Sequence, residues 1–267
     1  MNRLMANVVA GVVAAGIAGC GSGESAPATD AGASAGPVGP SVDSSVSSPE
    51  SAAPGADPVT TVPRIGVIYL RAWAATDVPT MIAASVPDSP AGNFAQYWND
   101  AYRAGRLDAG PGVVTVRPRS VGVRFGSDGY RFTGAQTGPG GRLVTWTSDP
   151  GGPLAGRVVA GPPTTVRVGQ VRVTGRYQYV NGDGDLRVSL RVVADREDDL
   201  AAVRYRPGAR TATLGSQGQT GVITVKPGVN WAIASVESGR PGGELLLRTY
   251  DTDGTTTGRG TLQLPAP

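Results

Sequence analysis

The sequence predicts a mainly β fold, an antiparallel β-sandwich or barrel-like domain with one short amphipathic helix, preceded by a disordered tether. Three observations carry this. From about Gly112 onward, apolar and polar residues alternate with period two between Gly, Asp and Pro turns, the pattern of half-buried strands. One stretch alone, near residue 95, shows an apolar stripe at helical spacing. Before the folded part, Gly21 to Pro58 is almost entirely Gly, Ser, Ala, Pro and Thr, with no aromatic residue and no Lys or Arg.

In chain order, the domain begins near Val59 and its first element is Ile65 to Leu70. This run is apolar on both faces and reads as a central strand. The helix comes next. Ser89 is a good cap, Pro90 suits the first helical position, and Phe94, Tyr97, Trp98 and Ala101 recur at i, i+3, i+4 and i+7. Arg103 lies in the last turn and Gly105 supplies the stop. The aromatic stripe reads as core, with a ligand groove as the alternative. Strands follow at 113–118, 121–125, 129–134 and 142–147, then at 157–160, 164–168, 170–180 and 185–194. The last group is 200–206, 210–214, 221–226, 230–237, 244–250 and 259–264. The domain, 59–267, is long enough for one large β domain or for two packed subdomains dividing near 161.

The clearest hairpin is 170–194, turning at Asn181-Gly182-Asp183-Gly184. Pairing Val180 with Asp185 puts Val171, Val173, Tyr177 and Tyr179 on one face with Leu186, Val188, Leu190 and Val192. The opposite face then carries Arg172, Arg176, Arg187 and Arg191, a basic surface suited to an anionic envelope polymer, a headgroup surface or an acidic protein partner. A solvated face that blocks edge pairing is the plainer reading.

The N-terminus has its own logic. Met1 to Arg3 is a short basic start and Leu4 to Gly16 an apolar stretch interrupted only by Asn7, too short to span a bilayer but right for an export signal. Ile17, Ala18, Gly19 and Cys20 follow, and Cys20 is the single cysteine of the chain. This segment resembles the lipobox of bacterial lipoproteins. The resemblance implies removal of residues 1–19, a diacylglyceryl thioether on Cys20, and a membrane partner through that anchor on the extracytoplasmic face. Residues 20–58 would then be a tether of about 38 residues, with a reach on the order of 35 Å. Low hydrophobicity keeps such a segment from offsetting its ordering entropy.

Charge and composition exclude several chemistries. Removing Arg3 and the tether acids Glu24, Asp30, Asp43, Glu50 and Asp57 from the chain's 24 basic and 21 acidic residues leaves the domain a net charge of about +7. Every basic residue there except Lys226 is arginine, a bias that with abundant Ala, Gly and Pro resembles chains of GC-rich actinobacteria. The chain has no histidine. Ser-His-Asp and Cys-His catalysis and imidazole or thiolate zinc sites are therefore out, and no phosphate-binding or dinucleotide motif implies a cofactor. Asn181, Asp183 and Asp185 alternate like calcium ligands, but Leu186 stands where that loop needs glycine, so a turn is the reading and no metal is expected. Nucleic acid is not an expected partner, because aromatic residues for stacking are few. Two functions remain: a non-enzymatic envelope module binding an envelope component or protein partner, and a hydrolase using carboxylates alone.

Overall fold

The computed structural model describes residues 61–106 and 111–267; the export signal, Cys20 and the tether through Pro58 lie outside the described residues. The chain joins the fold at Val62, whose N–H donates to the Pro118 carbonyl. Three helices come first: α1 (Arg64–Ala74), α2 (Val78–Ala84) and α3 (Pro90–Arg103). The expected helix is α3. Ser89 caps it by accepting from the Gly92 N–H at 3.1 Å, and Gly105, at φ 64°, takes the left-handed conformation that ends it. The other two correct the single-helix reading. Ile65 to Leu70 is not a strand but the first half of α1, and the reason is visible once the window is lengthened. Gly66, Tyr69, Leu70 and Trp73 are buried at i, i+3, i+4 and i+7, a helical stripe that a six-residue window cuts in half. Asp77 caps α2, whose buried residues are Val78, Met81 and Ala84.

A five-stranded antiparallel sheet follows, ordered β1 (Val113–Arg117), β2 (Ser120–Phe125), β3 (Asp128–Thr137), β4 (Leu143–Asp149) and β5 (Gly152–Pro153). One face packs on the helices. The core between them is aromatic, with Tyr69, Trp73, Phe94, Phe132 and Trp146 buried together. The indole of Trp73 has five ring neighbours at centroid distances of 4.9 to 6.1 Å, all edge-on. Such tilted pairs stabilise beyond simple burial.

Nine strands complete the chain: β6 (Val158–Val168), β7 (Val171–Val180), β8 (Leu186–Ala194), β9 (Asp198–Arg206), β10 (Ala212–Ser216), β11 (Gln219–Val225), β12 (Gly228–Val236), β13 (Gly243–Tyr250) and β14 (Thr256–Leu264). Their order is β14-β13-β9-β11-β10-β12-β8-β7-β6, all antiparallel. The sheet curls into a nearly closed barrel. Its two end strands meet where Thr164 Oγ1 donates to the Gln263 carbonyl and where Gly258 lies against Gly169. The barrel core is aliphatic, built from residues such as Val173, Val188, Leu190, Leu214, Ile223 and Leu245. The sheets change over between Pro153 and Val158; Gly161, the expected point of division, lies inside β6. The expected strands 157–160 and 164–168 are this one strand, with irregular register between Ala160 and Thr164.

The β7–β8 hairpin needs a correction that matters for the site. From Val171↔Ala194 to Gly175↔Leu190 the expected register holds, but beyond it Gln178 opposes Val188 and Val180 opposes Leu186, not Asp185. A bulge between Gly175 and Gln178 inserts one residue into β7 and inverts its alternation. Gln178 therefore enters the barrel side. There it is 1% exposed with both amide heavy atoms bonded, donating to the Pro265 carbonyl and accepting from the Gly242 N–H. Tyr177 and Tyr179 turn outward to pack beside α3.

Candidate functional site

The bulge and α3 together build a cleft. With Tyr177 and Tyr179 on the outer barrel face, α3 lies across β7, β8 and β12, held by Asp100. One carboxylate oxygen of Asp100 accepts from Arg176 Nε at 2.8 Å and from Ser189 Oγ at 3.0 Å. The other oxygen has no partner, and the residue is 1% exposed. Burial holds this carboxyl above the usual aspartate range although Arg176 pulls it down. The Arg103 and Arg176 guanidinium groups stack over the Trp231 ring at 5.0 and 5.3 Å.

Beside this clasp is a cavity of about 270 Å³. Trp73 of α1 and Tyr97, Trp98 and Ala101 of α3 form its helical wall, and the β2–β3 hairpin adds Phe125, Asp128 and Tyr130. Tyr179, Asn181 and Arg187 come from the β7–β8 hairpin, and Arg106 from the segment after α3. Each is placed by a local cause. The helical stripe of α3 orients Tyr97 and Trp98, the bulge presents Tyr179, and the Asn181 turn fixes the hairpin tip. That turn is held as expected, Asn181 Oδ1 accepting from the N–H groups of Asp183 and Asp185.

Polar groups in the wall are few. Arg187 donates to Ser235 Oγ at 3.2 Å and stands 3.9 Å from Asp185, while its Nε has no partner. Arg106 reaches Thr220 Oγ1 at 3.2 Å. The Nε1 atoms of Trp73 and Trp98 are buried without a hydrogen-bond partner. Burial pushes the Tyr179 phenol up to about 12 and raises that of Tyr130, so both are neutral hydroxyls at physiological pH. The Tyr179 hydroxyl accepts from Arg157 at 3.0 Å. The cleft thus offers flat apolar walls, two guanidinium groups and a single carboxylate, Asp128.

The four arginines of the expected basic face do point away from the barrel core, but they do not form one exposed surface. Arg172 is exposed and Arg191 half-buried, while Arg176 is pinned to Asp100 and Arg187 lies in the cleft wall. The cause is α3, whose position across the sheet no strand pattern encodes. Carboxylates otherwise gather at strand ends, where Glu197, Asp198, Asp199 and Asp251 border a depression of about 390 Å³. Asp199 there accepts from Thr224 Oγ1, and Asp251 from the N–H groups of Asp253 and Thr255.

No family model, curated protein or solved structure matches the chain. The site is therefore read from its own chemistry. Sequence reasoning found Tyr97 and Trp98 but missed Trp73, Arg106 and Tyr130. The periodicity running from Gly66 to Trp73 was the available signal for the first.

Proposed function

We propose that the chain is a lipid-anchored envelope protein, held through Cys20, whose folded part is a non-enzymatic binding module with the aromatic cleft as its ligand site. The cavity carries the reading: aromatic residues from α1, α3, the β2–β3 hairpin and β7 line about 270 Å³, with Arg106 and Arg187 also in its wall. Ligand sites are typically concave, mostly apolar and furnished with a few placed polar groups. The chemistry fits a small ligand with a flat or apolar body and an anionic group. One carboxylate in the wall, with no histidine or cysteine anywhere in the domain, favours binding over turnover.

The anchor and the site have separate tests. Cys20→Ala is expected to release the chain from the membrane fraction, and unchanged fractionation in the same processed form would remove the anchor. For the cleft, anilinonaphthalene sulfonate supplies a flat ring and an anion, and its fluorescence reports binding. Arg187→Gln is expected to weaken binding on the order of tenfold, since a hydrogen bond to a charged group is worth roughly 1.5–3 kcal/mol, and Trp98→Ala by a similar factor through lost ring packing and burial. Equal binding by both variants and the parent at unchanged Tm would overturn the assignment.

A further inference from the structure

We propose that the outer face of β1–β3 rests on the anionic headgroup surface of the membrane that carries the chain. In this sheet Val113, Thr115 and Arg117 of β1 pair with Arg124, Gly122 and Ser120 of β2, and Gly122 and Arg124 pair in turn with Arg131 and Gly129 of β3. Alternation puts these residues on one face, the one turned away from the helices, because Val121, Val123 and Phe132 on the other face are buried in the aromatic core. Arg117, Arg124 and Arg131 are exposed, and Arg119 is exposed in the two-residue turn beside them.

Arg117, Arg124 and Arg131 edge a trough of about 490 Å³ in which Asp149 is the one acid. With adjacent strands about 4.8 Å apart and about 3.4 Å per residue along each, the register puts Arg124 and Arg131 about 8 Å apart and Arg117 roughly 12 to 14 Å from either, a row of positive charge along one face. None of the ion pairs among the described residues involves them. The floor is flat because Gly122 and Gly129 carry no side chain. Packing does not demand either glycine: a Cβ at Gly129 would meet nothing within 4 Å, and one at Gly122 nothing nearer than 3.8 Å. At the sheet edge Val113, on this same face, is 58% exposed, an apolar side chain next to a row of cations. That combination suits an interface where apolar groups dip below charged headgroups.

The choice of a bilayer over other polyanions comes from where the chain joins the fold. The Val62 N–H donates to the Pro118 carbonyl, so the segment leading back to Cys20 starts at the β1–β2 turn, between Arg117 and Arg119. A chain anchored at Cys20 would enter the folded domain at this edge, beside the arginines. The proposal rests on the lipid-anchor reading for that choice. It accounts for the basic charge that the β7–β8 face does not leave exposed, and it would orient the domain on the membrane.

The test uses the full chain carrying Cys20→Ser, cosedimented with phosphatidylglycerol–phosphatidylcholine vesicles and with phosphatidylcholine vesicles alone. The apolar Leu4–Gly16 segment is common to every arm, so differences between arms report the arginine face. Binding to the anionic vesicles is expected to be stronger and to fall with salt. The joint variant of Arg117, Arg119, Arg124 and Arg131 to Gln should lose at least about tenfold in partitioning, each basic residue near an anionic surface being worth roughly fivefold. Arg196, Arg204, Arg240 and Arg259 to Gln make the same change of charge elsewhere, and should stay within about threefold of the parent because surface potential decays over a Debye length. If the joint variant does not fold, Arg124→Gln and Arg131→Gln singly carry the test, each with a few-fold loss. Equal losses in the two sets, equal binding to neutral and anionic vesicles, or binding to inorganic polyphosphate with none to vesicles would each overturn the proposal. Because Cys20 is replaced throughout, these results are independent of the fractionation test of the anchor.

Discussion

The two sheets of this protein are held together by different residues. The barrel core is aliphatic: of its large buried side chains only Tyr205 is aromatic, and Val, Leu, Ile and Ala supply the rest. The helix-backed sheet takes all three phenylalanines of the chain into its cluster, together with Trp73, Trp98 and Trp146. Branched aliphatic side chains interdigitate inside a small barrel and leave no room. Large flat rings meet edge-on, and where their cluster reaches the barrel wall they leave the cleft. The barrel is thus the scaffold, and the aromatic half is where a ligand can be accommodated. The fourth tryptophan, Trp231, lies on the outer barrel face under Arg103 and Arg176, so this aromatic residue of the barrel serves the junction with α3.

The largest expected effect tests the scaffold. Leu190 is fully buried in the barrel, and Leu190→Ala should cost about 3 kcal/mol through lost burial and the cavity left behind. Because α3 packs on both sheets, the whole described domain should unfold together. Urea transitions followed by tryptophan fluorescence, weighted to the aromatic half, and by circular dichroism, weighted to the barrel, should shift together. Separate transitions, with only the circular dichroism one moved, would show that the halves are independent and would break the picture of one scaffold serving one site.

A smaller effect belongs to the barrel seam. A Cβ on Gly258 would stand 2.2 Å from the Gly169 nitrogen and 2.7 Å from Thr249 Oγ1, so Gly258→Ala must push β14 away from β6. Overpacking of this kind costs about 1–3 kcal/mol. Gly254→Ala at the β13–β14 turn is a useful contrast: nothing lies within 4 Å of its Cβ, and only its φ of 77° opposes a side chain. The seam variant should lose more in Tm. If the two are equal, the seam is looser than the close approach of these strands implies.

The strands were legible because period-two alternation is imposed by burial on one face, and each expected strand from 113 to 264 has its counterpart. What the pattern does not carry is any event that shifts the period. The bulge at Gly175–Gln178 adds one residue without altering composition, so Tyr177, Gln178 and Tyr179 take the faces opposite to those that alternation assigned, while Arg172 and Arg176 keep theirs. α1 was misread because a helix buried on most of its circumference is locally as apolar as a central strand. The cleft was half legible: Trp98 and Tyr97 announced a stripe on α3, but its partners Tyr130, Tyr179 and Arg187 arrive from strands brought together only by the fold. The basic face was read in kind, arginines alternating along strands, yet Arg176 and Arg187 are covered by a helix more than 70 residues earlier in the chain.

The smallest expected effect concerns the clasp between the halves, and its sign is the informative part. Asp100 on α3 is buried, one oxygen shared by Arg176 and Ser189 and the other unpartnered. Burial raises its pKa in the folded state above the ordinary 3.8, outweighing Arg176. The folded protein therefore binds this proton more tightly than the unfolded chain does. The resulting stability is fully present below about pH 4 and is lost as pH rises through the raised folded value. Asn at this position cannot titrate. Relative to Asp100→Asn, the parent should lose stability with rising pH from about 4 upward and then level off, as read from urea midpoints across the acid range. Arg176→Gln removes the main influence lowering the pKa, so in that background the loss should extend to higher pH. If the parent instead gains on Asp100→Asn as pH rises, the ion pair outweighs its desolvation, and the clasp is an electrostatic bond between the halves rather than a buried group tolerated to seat α3 on the barrel.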